Sequence, residues 1–137
     1  MYWLALAALI CATVFDLRQR EIPDSLSLGL MLGAIGMKAA GLHPLGWGEI
    51  GLGAVSAFAV SAFLFARGGL GGGDVKLFTA LGAVLGAGAL LPFGILTGLF
   101  GGLAALIGKY REETEIAYAP VMLAGLLSLL PVQWMAR

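Results

Sequence analysis

The sequence predicts an all-α integral membrane protein of about six transmembrane helices, folded as one membrane-embedded domain over residues 1–137. Three observations carry that prediction. Hydrophobic residues make up 60% of the chain and charged residues 12%, with a mean hydropathy of +0.96, which excludes an ordinary soluble globule. The apolar residues fall in long runs separated by short loops that hold most of the charge. The 22 glycines lie largely inside those runs, at four-residue spacings such as Gly29 and Gly33, Gly82 and Gly86, and Gly94, Gly98 and Gly102. That spacing puts small residues on one helix face and lets helix backbones approach closely in lipid.

The first segment, about Tyr2 to Phe15, is short for a span of ~20 residues. Its helix is therefore expected to continue past Phe15 and to set Asp16 at the membrane interface or just within it. Met1-Tyr2-Trp3-Leu4 has no basic side chain ahead of the apolar run, and Ile10 is bulky where cleavage before Cys11 would want a small residue, so the segment reads as a retained span. Pro23 forbids a continuous helix, and Asp24 is placed to cap the next one. Segment two is about Ser25 to Leu42, and segment three about Ile50 to Ala66.

From Leu77 to Ile107 there is no charge. As one helix this stretch would be ~46 Å long against a hydrocarbon core of ~30 Å, so a turn near Leu91-Pro92 is expected to divide it. With that turn, Arg18, Arg20, Arg67, Lys76, Lys109 and Arg111 collect on one side, leaving only Lys38 and Arg137 on the other. Without it the split is 5 against 3. The bias of Lys and Arg toward the cytoplasm favours the turn, with both termini outside. Segment six runs from about Ile116 to Trp134.

This topology brings Asp16, at the end of segment one, and Asp74, at the head of segment four, to the same cytoplasmic leaflet. Ionisable groups beside a span are expensive and are functional candidates by default. Taken singly, Asp74 is accounted for as a cap and Asp16 as an interface stop. Taken together they suit a carboxylate pair that shares one proton, the ionised member drawing a proton from water while the protonated one polarises a carbonyl. Gly71-Gly72-Gly73 ahead of Asp74 clears side chains from the path of a substrate backbone. Lys76, close in sequence, is expected to add its positive charge beside Asp74.

Other chemistries are less well supplied. His43 is the only histidine and lies in an outside loop without an acid or nucleophile nearby. Ser25, Ser27, Ser56 and Ser61 lack a base on the cytoplasmic face. The glycine run does not meet the G-x-x-x-x-G-K-[ST] phosphate loop. One cysteine excludes an internal disulfide and a multi-cysteine zinc site, and zero net charge with scattered basic residues gives no nucleic-acid surface. Glu112, Glu113 and Glu115 form a small acidic cluster, read either as a solvated loop or as a dock for basic leaders.

Asp16-Leu17-Arg18-Gln19-Arg20-Glu21-Ile22-Pro23-Asp24 resembles the D-x5-I-P-N/D signature of type IV prepilin peptidases, and Gly71-Gly72-Gly73-Asp74-Val75-Lys76 resembles their G-x-G-D-x-K. A weaker third match is Tyr118-Ala119-Pro120, where the family often has P-Y-G-P; Ala119 stands for the glycine and Ala117 for the first proline. The resemblance covers essentially the whole chain, with the aspartates 58 positions apart. It implies that Asp16 and Asp74 are the catalytic pair of an aspartyl endopeptidase of the bacterial cytoplasmic membrane, acting without cofactor or metal. Ile22, Pro23, Asp24, Gly71, Gly73, Lys76, Tyr118 and Pro120 are implied to support the pair or bind substrate. The implied substrates are prepilins and pseudopilins, cut on the cytoplasmic side just before their hydrophobic helix. The methylating amino-terminal region with paired cysteines is not matched, so methylation is not expected, as in the short peptidases of tight-adherence pilus systems. The alternative is a non-enzymatic subunit, either an ion- or proton-conducting relay or a packing scaffold.

Overall fold

The computed structural model describes residues 2–19, 21–110 and 118–135, and among them the fold is entirely helical. The elements are α1 (Tyr2–Gln19), α2 (Asp24–Ala39), α3 (Trp47–Ala66), α4 (Gly72–Tyr110) and α5 (Tyr118–Met135). α1, α3 and the Gly72–Gly108 stretch of α4 are long and apolar enough to cross a membrane, and Tyr118–Pro131 is apolar but shorter. As expected, α1 runs past Phe15 and carries Asp16 in its last turns. Asp24 does not cap α2. Pro23 holds the capping position with extended backbone, and Asp24 is the first helical residue, where its negative charge still suits the helix dipole.

The uncharged stretch is divided, but not at Leu91-Pro92. α4 is two helices merged across Gly86, whose φ of 75° and ψ of 168° are not helical. The chain reverses there. The rings of Phe78 and Phe93 stack with centroids 5.5 Å apart, whereas fifteen residues of straight helix would separate them by about 22 Å. Proline has φ fixed near −65° and can only bend a helix; a reversal at a single residue needs positive φ, which glycine supplies without steric cost. Pro92 lies inside the second arm. α4 therefore consists of an arm over residues 72–85 and an arm over residues 87–110, giving six helices in all among the described residues.

α3 lies along the first arm of α4 at backbone contact. A Cβ added at Gly53 would overlap the carbonyl of Gly82, and one at Gly82 would overlap that of Gly53. The core is formed by Leu9, Leu77, Leu81, Val84, Phe93, Met122 and Leu126, all within 2% of complete burial. Outward faces carry Leu52, Val55, Phe58, Phe63, Leu99 and Leu103, as lipid requires. Gly68, with φ 72°, ends α3 in the left-handed region and turns the chain into the Gly71–Gly73 run.

His43 lies in the loop between α2 and α3 and is buried there. It is 3% exposed, and its Nδ1 accepts a hydrogen bond from the Leu45 main-chain N–H at 3.3 Å. Leu45 in turn sits against Gly86, so this loop closes over the reversal of α4.

Candidate active site

At the opposite end from the Gly86 reversal, the end of α1, the start of α2 and the head of α4 enclose a cavity of about 350 Å³. Asp16, Glu21, Ile22, Asp24, Gly71, Gly72, Gly73 and Asp74 line it. The structure thus brings both motif aspartates to one cavity, with Asp16 close enough for its charge to act on Asp74.

Each carboxylate is oriented by one main-chain N–H. Asp74 is the third residue of α4, and its Oδ2 accepts from the Gly71 N–H at 3.1 Å, the return half of a capping box. Asp16 is 9% exposed, and its Oδ2 accepts from the Ala119 N–H at 3.0 Å, in the first turn of α5. The first amides of a helix have no partner within it, so α5 has a donor to spare for Asp16. Among the described residues no second hydrogen bond engages either carboxylate, which leaves one oxygen of each for another group.

The glycine run is explained position by position. A Cβ at Gly71 would stand 3.1 Å from the Asp74 Oδ2, and one at Gly73 would stand 3.3 Å from the Ile22 side chain. At Gly72 the nearest atom would be 3.9 Å away. The first and third glycines are thus the ones that close packing demands, matching the two fixed glycines of G-x-G-D. Ile22, following the last turn of α1, is seated on Gly73 and ties the two aspartate-bearing elements together.

Lys76 does not reach Asp74. Its Nζ lies 2.7 Å from both carboxylate oxygens of Asp24, because one helical turn past the head of α4 its side chain points across to the start of α2. The pair is solvent-exposed. Tyr118 lies within electrostatic reach of Asp74, and Pro120 follows the Ala119 amide that holds Asp16. Sequence reasoning named Tyr118 and Pro120 but missed Ala119, whose contribution is main-chain and independent of its side chain. It also missed Glu21, which lines the cavity as a fourth acidic residue beside Asp16, Asp24 and Asp74. Glu112, Glu113 and Glu115 lie outside the described residues. Among the described residues no group of three or more His, Cys, Asp and Glu converges to hold a metal ion.

In general, two carboxylates close enough to share a proton present one ionised and one protonated group. Such a pair offers a base and an acid at once.

The type IV leader peptidase family model matches residues 3–106. Prepilin leader peptidase/N-methyltransferases of known sequence are similar: that of Bacillus subtilis is 42% identical over 62 residues, 42% of this chain and 25% of the relative. That of Neisseria gonorrhoeae is 35% identical over 122 residues, 85% of this chain and 43% of the relative. That of Burkholderia pseudomallei is 32% identical over 129 residues, 87% of this chain and 42% of the relative. The chain spans less than half the length of these relatives. No solved structure matches.

Proposed function

The chain belongs to the type IV leader peptidase family, and from that premise we propose that it is an aspartyl endopeptidase that cuts the leader from prepilins or pseudopilins with Asp16 and Asp74. The observation that supports this reading best is that the two aspartates of the separate motifs, on α1 and α4, line one cavity. In the proposed reaction the ionised carboxylate removes a proton from water as the water oxygen bonds to the scissile carbonyl carbon. The protonated carboxylic acid donates a hydrogen bond to the carbonyl oxygen, and as the carbon–nitrogen bond breaks the amide nitrogen takes the proton that the other carboxylate drew from water, which returns the pair to its starting state. Water supplies the nucleophile, so no acyl-enzyme forms. The main-chain amides of Gly71 and Ala119 hold the acceptors in place without adding a competing side-chain acid.

The membrane in question is the bacterial cytoplasmic membrane, with the aspartate end facing the cytoplasm, on the strength of the Lys and Arg distribution. The relay alternative is less well served. Proton-relay carboxylates sit deep in a span facing a cavity, whereas Asp16 and Asp74 stand at helix ends. The test is co-expression with a prepilin, following leader removal as a gel shift, for wild type and for Asp16→Asn and Asp74→Asn. Cleavage by wild type and by neither variant is expected; efficient cleavage by either variant would overturn the pair.

A further inference from the structure

Tyr118, the first residue of α5, stands on the boundary between two cavities. On one side is the aspartate site, where the N–H of the next residue, Ala119, holds Asp16. On the other is an apolar cavity of about 280 Å³, which Tyr118 lines together with Leu70, Phe78 and Met122. The ring is half-buried against the core, and its Cε1 would lie 3.5 Å from a Cβ built at Gly101. Packing thus accounts for the ring.

Packing does not account for the hydroxyl. Among the described residues no hydrogen bond engages it, whereas Thr13, Ser61, Thr79 and Ser128 each return theirs to the carbonyl four residues earlier. A phenol set in an apolar wall ordinarily finds a partner, and without one phenylalanine would fill the same space at less cost. The group within its reach is Asp74, whose charge acts on Tyr118 and which in turn feels the charge of Asp16. One oxygen of Asp74 is engaged by the Gly71 N–H and the other is open. A donor without an acceptor therefore stands near an acceptor with room for a second donor. No direct hydrogen bond joins them, and polar groups set further apart than that are joined through one water. The apolar walls beyond Tyr118 offer such a water nothing, so it is held from the carboxylate side.

We infer that Tyr118 positions the attacking water: its O–H donates to a water whose own O–H donates to the open carboxylate oxygen of Asp74. This rests on the reading of the preceding subsection. Asp74 is then the ionised member of the pair. The water's remaining lone pair faces the scissile carbonyl carbon, Asp74 takes a proton from the water as the oxygen–carbon bond forms, and the phenol keeps its own proton throughout. The first turn of α5 thereby serves both carboxylates through consecutive residues, Ala119 by its amide and Tyr118 by its side chain. Because the role needs a protonated phenol, it gives the activity an alkaline limit set at Tyr118. The other charged groups at this end, among the described residues, are Asp16 on α1, Glu21, Asp24 on α2 and Lys76 on α4, which is paired with Asp24. Arg67, at the end of α3, lies over the Phe63 ring at 4.7 Å. Lysine and tyrosine ordinarily titrate in the same range, so the test must alter the phenol alone.

The test uses the full chain in liposomes with one prepilin. Tyr118→Phe keeps the ring and removes the hydroxyl. It is expected to lower kcat by about ten- to a hundredfold with KM little changed, and to leave the unfolding midpoint in place. A ring-fluorinated tyrosine, placed at position 118 alone by site-specific incorporation, keeps the O–H but makes it more acidic, and leaves Lys76 and the other tyrosines as they are. It is expected to cut near the wild-type rate at neutral pH and to shift the alkaline limb of the pH–rate profile downward, with the acidic limb unmoved. The inference is overturned if Tyr118→Phe cuts as wild type does, or if the fluorinated chain keeps the alkaline limb of wild type. A loss in Tyr118→Phe that is confined to KM, or matched by lost stability, overturns it equally, since that would mark the residue as packing. Failure of wild type to cut any prepilin would instead remove the peptidase reading, and the role of Tyr118 with it. Should Tyr118→Phe not fold, the alkaline limb of the fluorinated chain decides.

Discussion

Oδ2 of Asp16 accepts a buried 3.0 Å hydrogen bond from the main-chain N–H of Ala119, 103 residues further along the chain. The last helix thus orients a carboxylate on the first, through an amide that no helical partner would otherwise satisfy. The helix dipole of α5 also favours an acceptor at this position.

That bond allows the chemical role proposed for Asp16 to be tested apart from its structural one. Asp16→Asn keeps an oxygen for the Ala119 N–H and should change stability little, while on the proposed mechanism cleavage should fall by several orders of magnitude, because an amide cannot share the proton. Asp16→Ala leaves a buried donor unsatisfied and should also lower stability by about 1–3 kcal/mol. Thermal unfolding in detergent, run beside a prepilin cleavage assay, measures both. Equal stability of the two variants would contradict the structural half of this account.

Ala119→Pro removes the donor while leaving every side chain of the site in place. Proline is tolerated in the first turn of a helix, so the protein should fold. Freed from its N–H, Asp16 would lose its fixed orientation, and kcat should fall by about ten- to a hundredfold with KM less affected. Ala119→Gly, which keeps the N–H, should retain activity. The split between kcat and KM on one prepilin is the measurement.

Much of this arrangement is legible in the sequence, for identifiable reasons. Apolar runs between charged loops mark the helices, and Pro23 and Gly68 mark two of their breaks, because composition and backbone chemistry act locally. The reversal at Gly86 is not legible in the same way. Gly82, Gly86 and Gly88 look alike in a glycine-rich helix, and only packing against Gly53 and Leu45 decides which of them turns. Pro92 reads as the break because proline breaks helices in general, although it cannot reverse one alone. Likewise Lys76 is near Asp74 in sequence, but two residues on a helix turn it by about 200° to the other face, and the start of α2, invisible locally, supplies its partner. The Ala119 amide has no side-chain signature at all.

The Lys76 and Asp24 pair is exposed, so its contribution to stability should be small, about 0–1 kcal/mol. Its position between α2 and the head of α4 gives it a larger bearing on the cavity. Lys76→Met and Asp24→Asn should each reduce kcat/KM, and the double variant should be no worse than the more damaging single one. A double-mutant cycle at low salt checks this. Additive losses would mean that the two side chains act on separate partners.

His43 gives the fold a pH dependence that is independent of catalysis. Burial, and then the nearby Lys38 ammonium, holds its imidazole below the ordinary value of 6.5. The unfolded chain therefore binds more protons than the folded one as pH falls through 6.5. Stability from this residue is fully present above that pH and is lost as pH drops toward the lowered folded value, with a slope of at most about 1.4 kcal/mol per pH unit. Unfolding midpoints of wild type and His43→Gln between pH 8 and about 5 should converge or cross on acidification. Parallel curves would remove His43 as the cause.

The reversal of α4 predicts a ranking of two substitutions that a turn at Leu91-Pro92 would invert. Gly86→Ala puts a Cβ on a residue with φ 75° and drives it into the Leu45 side chain. Backbone strain of this kind costs on the order of 1–3 kcal/mol, and displacement of Leu45 would add to it by opening the loop that buries His43. Pro92→Ala, inside the second arm, restores an N–H to the helix and relieves the ring's conflict with the carbonyl four residues earlier. It should leave stability unchanged or raise it. Were Pro92 the turn, its fixed φ would be needed, and losing it would be the costlier change, while Gly86→Ala in an unbroken helix would be stabilising by about 0.5–1 kcal/mol. Unfolding of the two variants in one detergent therefore distinguishes the topologies by sign. Because the stacked rings of Phe78 and Phe93 depend on the same reversal, Gly86→Ala should also abolish a disulfide engineered between positions 78 and 93, and Pro92→Ala should not.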